Sequence, residues 1–303
     1  MSHSAFSIEA AQRPIVPGAV EVAAPDHGGV RACVDFPQQT PGSVLLLTID
    51  SCRYDVFEPA HVPALKSIGR LYRAMSPASF TLPAHASIFA GFTPGCAELA
   101  EPYVNPKYAK FFKLIGPGVP GKAKDFFTLP GRNIIDGFKR SGYQTIGSGG
   151  VGWFRPDTLS GRSLTVDFAN FFWGGRTWAL PAQLAFLHKH LSVSIRPNFV
   201  FLNVGETHVP YYFEGAPWER KDNPCVPFGL ANDAAECRRR QTLCLQYVDC
   251  LLAPLIKAFS HSTIVACADH GDCWGEAGLW EHSVFHPKVF EVPLLYRLGE
   301  RPR

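Results

Sequence analysis

The sequence predicts an α/β protein: a three-layer sandwich with a mostly parallel central sheet flanked by helices. Three short apolar runs carry that expectation. They are Ser43-Val44-Leu45-Leu46-Leu47-Thr48-Ile49, Asn198-Phe199-Val200-Phe201-Leu202-Asn203-Val204 and Ser262-Thr263-Ile264-Val265-Ala266-Cys267-Ala268. Each is apolar on both faces, as suits a central strand covered by helices above and below. The first ends at Asp50 and the third at Asp269. In open α/β sheets the ligand site lies just beyond the carboxyl ends of the strands, so these polar endings mark one edge as functional.

The other elements follow in order. Residues 1–40 are rich in Pro, Ala and Gly and form an irregular lead-in with at most one edge strand; residues 41–303 form a single domain. Ala60 to Ala74 places Val62, Leu65, Ile68, Leu71 and Tyr72 near helical spacing. Residues 102–131, rich in Gly, Pro and Lys, read as a lid-like excursion over the site. Gly142 to Gly150 reads as a strand running into a flexible turn. Arg238 to Phe259 is a helix, from Leu243 through Ile256, that Pro254 kinks or divides. The aromatic segment Phe168 to Trp178 packs in the core or stacks on a substrate ring.

Composition sets limits. With 303 residues, 46% of them hydrophobic, the chain can bury a large core without disulfides. A net charge of +3 builds no basic stripe, so a nucleic-acid polymer is not an expected partner. The N-terminus lacks the charged start and apolar run of a secretory signal, and no stretch approaches the roughly 20 apolar residues of a membrane span. A cytoplasmic location and no membrane partner are the resulting expectations. Nine cysteines, an odd count without a Cys-x-x-Cys pair, fit a reducing compartment and buried free thiols. Cys52 and Cys273 stand apart because they flank the site.

Chemistry concentrates in three segments. In Ala268-Asp269-His270-Gly271-Asp272, a carboxylate and an imidazole on adjacent residues offer mixed oxygen and nitrogen ligands, which suit zinc or manganese better than calcium. Gly271 would let the backbone turn sharply. The alternative is a turn in which the Asp caps the next segment. In Thr48-Ile49-Asp50-Ser51-Cys52-Arg53-Tyr54-Asp55, Asp50 stands where a metal-binding carboxylate is expected, while Arg53 and Asp55 can simply pair with each other. In Ser79-Phe80-Thr81-Leu82-Pro83-Ala84-His85, a threonine at a helix start can present its hydroxyl where the dipole favours an anion. The other reading of Thr81 is an ordinary N-cap.

Together these segments resemble the alkaline phosphatase superfamily, specifically its sulfatase-like branch. The likeness runs from an early strand ending in Asp50, through Thr81-Leu82-Pro83-Ala84-His85-Ala86-Ser87 and a helix carrying Tyr247 to Asp249. It continues to Asp269-His270-Gly271 and to His282 ahead of Val292-Pro293-Leu294-Leu295, about residues 43 to 297 in all. The resemblance implies that Asp50, Thr81, Asp269 and His270 share one divalent metal, with Thr81 as ligand and nucleophile through a phospho-threonine. His208, in Gly205-Glu206-Thr207-His208-Val209-Pro210-Tyr211, would contact substrate oxygens or protonate the leaving group. His282 would bind the transferred group or a second metal. His85, Arg53 and Lys288 complete the expected substrate contacts, with His286 nearby.

The departures narrow the chemistry. Sulfatases carry Cys or Ser at the Thr81 position, with Arg where His85 stands, so that the residue can become formylglycine. Thr81 cannot take that route, and phosphoryl transfer is expected instead of sulfate-ester hydrolysis. Ser51 replaces a second carboxylate, and Val204 stands where two-metal members supply an Asp, with Glu206 out of register. One zinc or manganese ion is therefore favoured, with a second site open. The expected activity is that of a metal-dependent phosphoric-ester hydrolase or phosphotransferase on a small molecule, with monoester against diester undecided. A phosphomutase and a non-catalytic ligand-binding relative are the alternatives, and the oligomeric state is left open.

Overall fold

The computed structural model describes residues 35–91 and 133–299. The lead-in up to residue 34 and the 102–131 excursion lie outside the described residues. The strands are β1 (Val44–Ile49), β2 (Tyr72–Met75), β3 (Gln144–Gly149), β4 (Asn170–Trp173), β5 (Asn198–Val204), β6 (Thr263–Ala268), β7 (Cys273–Trp274), β8 (Trp280–Glu281) and β9 (Glu291–Arg297). The helices, numbered here in chain order, are α1 (Tyr54–Phe57), α2 (Pro63–Lys66), α3 (Thr81–Ala90), α4 (Ile134–Arg140), α5 (Leu159–Thr165), α6 (Leu180–Leu191), α7 (Ala234–Ala258) and α8 (Pro287–Phe290).

The three apolar runs become β1, β5 and β6, neighbours at the centre of a seven-stranded sheet of order β2-β9-β6-β1-β5-β3-β4. They run parallel, with Ile49 beside Val204 on one side and Ala268 on the other. That register brings Asp50, Gly205 and Asp269 to one edge. Of these seven strands only β9 runs against the rest, pairing antiparallel with β6 on one side and with edge strand β2 on the other. Two apolar layers cover the faces. One packs α7, α6 and the α1–α2 region against Leu45, Leu47, Val200 and Leu202; the other sets Phe89, Phe154, Phe168, Phe199 and Phe201 under α3 and α5. The aromatic run after Phe168 supplies edge strand β4 and this second layer: Phe171 lies 5.4 Å from Phe168 and 6.3 Å from Phe154.

Two expected helices differ. Ala60 to Ala74 is not one helix: α2 starts at Pro63 and ends by Ser67, and the chain then extends into β2. Gly69 sits so close to the Tyr296 carbonyl of β9 that a Cβ there would overlap it, a strand-side contact that no continuing helix could make. The first turn of α2 is held by Asp249, whose carboxylate accepts from Ala64 N (3.2 Å) and Leu65 N (2.7 Å). Pro254 lies inside α7 without dividing it.

Glu206 illustrates how polar groups behind the sheet edge are managed. It is fully buried, its Oε1 accepts from Leu180 N at the start of α6 (2.8 Å), and Oε2 has no partner. It therefore points to a helix terminus, away from the ligand set for which its spacing was already unsuitable. Burial pushes its carboxyl up to about 8, against the opposing Leu180 amide. The folded state thus holds a proton that the unfolded chain releases near 4.5. This contribution is complete below the unfolded value and is lost as pH rises through about 8. Glu206→Gln should match wild type to within about 1 kcal/mol at pH 5 and melt about 8–16 °C higher at pH 8.5, the equivalent of roughly 4 kcal/mol. Equal differences at both pH values in a calorimetric scan would refute the buried neutral acid.

Candidate metal centre and active site

Asp50, Thr81, Asp269 and His270 arrive from three elements and are all fully buried. Asp50 follows β1, and Asp269 and His270 follow β6. Thr81 is the first residue of α3, with Phe80 in the cap position and no side-chain capping bond. It is therefore not an N-cap. Its hydroxyl turns to Asp50 Oδ2 (3.4 Å) and His270 Nε2 (3.3 Å). His270 Nε2 lies 3.8 Å from Asp50 Oδ1 and 3.6 Å from Asp269 Oδ2. A tetrahedron with metal–ligand bonds of about 2.1 Å has edges of about 3.4 Å, so these donors are spaced as ligands of one ion.

Protonation and partners fit a cation here. His270 Nδ1–H donates to Gly271 O at 3.0 Å, which leaves Nε2 as the lone-pair nitrogen facing the carboxylates. Burial holds this imidazole down to about 4, so it is neutral. Asp269 Oδ2 is buried without a hydrogen-bond partner. Burial and the neighbouring Asp50 carboxylate push Asp269 well above the usual carboxylate range. Burial also works against ionised Asp50, but His208, His270 and other imidazoles outweigh it and hold the acid below its ordinary value. Two carboxylates facing each other in a dry site, one with an orphaned oxygen, lack only a positive charge.

Backbone shape aims these groups. Ser51 has a φ of 57°, costly for a non-glycine residue, and this turns its amide onto Asp269 Oδ1 at 3.2 Å. Gly271 does not adopt a positive φ. Its need for glycine is close approach: a Cβ would overlap the Lys288 carbonyl, while its N–H bonds Val289 O at 2.8 Å. The sharp turn expected at Gly271 is corrected accordingly.

A second cluster adjoins the first. The His282 ring lies 4.5 Å from His270 and 5.1 Å from His208. His282 Nδ1–H donates to Asp272 Oδ1 (2.8 Å), and Asp272 Oδ2 accepts from the Tyr211 hydroxyl (2.8 Å), which itself accepts from Trp274 Nε1 (2.7 Å). Burial works against a charged His282, but the Asp272 bond prevails and lifts it to about 9. His208 Nδ1–H donates to Val209 O at 2.8 Å, leaving its Nε2 as acceptor. His270, Asp272 and His282 also lie within metal-ligand reach of one another. Both Asp272 oxygens, unlike Asp269 Oδ2, already have partners.

Three expected substrate contacts are placed elsewhere. His85 is fully buried: Nδ1–H donates to Thr81 O (2.8 Å), and Nε2 faces Thr48 Oγ1 (2.9 Å). Both nitrogens are occupied in holding α3 onto β1, so His85 positions Thr81 instead of reaching substrate. Arg53 is buried between Asp55 and Glu276, at 2.8 Å from each, and lies 4.1 Å over the Trp274 ring. Lys288 Nζ pairs with the same Asp55 at 2.8 Å, and His286 caps α8 through Lys288 N. The Arg53–Asp55 pairing read from sequence is what forms, and the Arg53–Glu276 pair ties the loop after β1 to the segment after β7. Cys52 and Cys273 are buried thiols, and burial pushes Cys273 up to about 12, so neither is a nucleophile.

Sequence reading missed the residues that brace the site. Asn203 Nδ2 donates to Asp50 Oδ2 (3.3 Å) and Thr48 Oγ1 (3.1 Å), and its Oδ1 accepts from Gly150 N (3.1 Å). Gln241 on α7 reaches Ser51 O (2.9 Å) and Thr207 O (3.2 Å), joining the loops after β1 and β5. The one signal in the chain was Asn203 itself, a polar residue inside an otherwise apolar central strand.

No family model and no curated protein matches the sequence. Solved structures do match. The C-terminal periplasmic domain of EcEptC from Escherichia coli, in complex with Zn, superposes on 87% of this chain and 77% of its own, with a TM-score of 0.57 and 15% identity. A protein of the alkaline phosphatase superfamily from Vibrio parahaemolyticus gives 0.53 at 14% identity, over 88% of this chain and 63% of that one. The phosphonate monoester hydrolase of Agrobacterium radiobacter gives 0.55 at 14% identity, over 85% and 68%. The fold is thus an alkaline phosphatase-like α/β fold.

The comparison overturns the cytoplasmic expectation, since the EptC structures that share this fold are periplasmic domains. Among the described residues no helix is long and apolar enough to cross a membrane.

Proposed function

We propose that the chain is a metal-dependent phosphoric-ester hydrolase or phosphotransferase in which Thr81 carries the phosphoryl group. The observation behind this reading is the Thr81 hydroxyl, turned away from capping α3 and held at 3.3–3.4 Å from Asp50 and His270 beside the orphaned oxygen of Asp269. Asp50, Asp269, His270 and Thr81 would hold one zinc or manganese ion, which supplies charge neutralisation and lowers the pKa of the Thr81 hydroxyl. The unpartnered oxygen belongs to this group and not to Asp272, which favours a single ion here. EptC of Campylobacter jejuni, a phosphoethanolamine transferase, and the Agrobacterium phosphonate monoester hydrolase share the fold and support a phosphorus ester as substrate.

The protein's own groups divide the work. The Thr81 hydroxyl, ionised with release of its proton to solvent, attacks phosphorus in line with the departing alcohol, at the positive end of α3. His282, protonated through Asp272, donates Nε2–H to the leaving oxygen; His208, with its acceptor nitrogen, takes a proton from the water or acceptor alcohol that next attacks phospho-Thr81. Asn203 and Gln241 fix the carboxylate and the loops.

The test is metal analysis of purified protein, paired with turnover of p-nitrophenyl phosphate, its diester and its sulfate. Bound zinc or manganese, with phosphate-ester turnover that a chelator removes and the metal restores, is the expected result; the sulfate should not react. An absence of metal and turnover, after reloading with zinc, manganese and magnesium, would leave a ligand-binding protein.

A further inference from the structure

Two cysteines that this chemistry does not use lie side by side. Cys225 sits in the loop before α7 and Cys237 in that helix's first turns, and both are fully buried. The Cys237 sulfur lies 3.3 Å from the carbonyl oxygen of Pro224, the residue before Cys225, which sets the two side chains beside each other. The backbone brings them together without help from sulfur. Asp233 caps α7 through Glu236 N (3.0 Å), while its own N–H donates to Pro224 O (2.9 Å). Asn232 clamps Val226 with two bonds of 2.8 Å. Cys225 Sγ also lies 3.6 Å from the Cys273 carbonyl, so this loop backs the strand that follows Asp272.

We propose that Cys225 and Cys237 are a disulfide-forming pair whose bond staples the loop before α7 to that helix, behind the strand that follows Asp272. In the reaction each thiol gives up one proton and one electron. A low-molecular-weight disulfide accepts both electrons and both protons and leaves as two thiols. Buried thiols react slowly once the chain is folded, so the bond forms during folding.

The test refolds the reduced full-length chain in a mixture of glutathione and its disulfide. Free thiols are then alkylated under denaturing conditions, and the digest is mapped by mass spectrometry without reduction. The expected product is one cross-linked peptide joining Cys225 to Cys237, with Cys52 and Cys244 alkylated. The oxidised protein should melt about 5–10 °C above the reduced form, a difference that Cys225→Ser/Cys237→Ser abolishes. Alkylation of both residues, or a cross-link from Cys225 to another cysteine such as Cys273, overturns the proposal. The wild-type peptide map decides the matter even if the double variant does not fold.

Discussion

Thr81→Ala is expected to lower kcat on phosphate esters by on the order of 10⁴–10⁶ while leaving the fold intact, the size of effect seen when a nucleophile is removed. The two halves of this expectation have separate causes. The hydroxyl makes contacts of only 3.3 and 3.4 Å, too long to contribute much to stability, so the melting temperature should shift by the equivalent of about 1 kcal/mol or less. Residue 81 does not cap α3, so no capping bond is lost either. Asp50, Asp269 and His270 remain, and the variant should still take up metal, more weakly. Thr81→Ser keeps the oxygen and should keep most of the rate. Acid quenching of wild type with a labelled substrate should trap phosphate on the peptide containing Thr81. Wild-type rates in purified Thr81→Ala would exclude it as the nucleophile.

The sequence and the structure agree most where one residue alone carries the information. Asp50 and Asp269 each close a run apolar on both faces, and such runs have one stable fate, adjacent parallel strands with their ends aligned. The residues that shape the site were hidden because their roles are relational. Asp272 carried no role of its own in the segment after β6, yet it takes bonds from His282, ten residues on, and from Tyr211, far earlier in the chain. Gln241 sits inside an amphipathic helix where a polar residue carries no message, and its partners lie on loops after two strands. His85 and Arg53 failed in the opposite sense: their types suggest anion contact, but complete burial and satisfied nitrogens turn them into supports. The failure at Ala60 to Ala74 is of a third kind, since the spacing was genuine and β9 competed for the backbone.

Asp272→Asn should be the most damaging change outside the ligand set, lowering kcat by about 10²–10⁴ with a smaller effect on KM. The Tyr211 hydroxyl donates to Oδ2 and already accepts from Trp274, so an asparagine must turn its carbonyl oxygen to Tyr211 and its NH₂ to His282. That arrangement forces Nδ1 to become the acceptor and moves the proton to Nε2 in the neutral ring. In wild type, Asp272 overcomes burial and keeps His282 charged up to about 9; the variant retains the burial and loses the anion. In chelator-treated protein the His282 NMR titration should therefore fall from about 9 to below its ordinary 6.5. The pair's stabilisation is complete below the unfolded value near 6.5 and fades as pH rises through about 9. The melting difference between wild type and variant should accordingly be larger at pH 6 than at pH 9.5. Tyr211→Phe, which leaves the carboxylate and removes only a competing donor to it, should keep His282 charged up to about 9 or above and lower kcat far less than Asp272→Asn. An unchanged His282 titration together with unchanged kcat would reduce Asp272 to a structural group and return the leaving-group proton to His208.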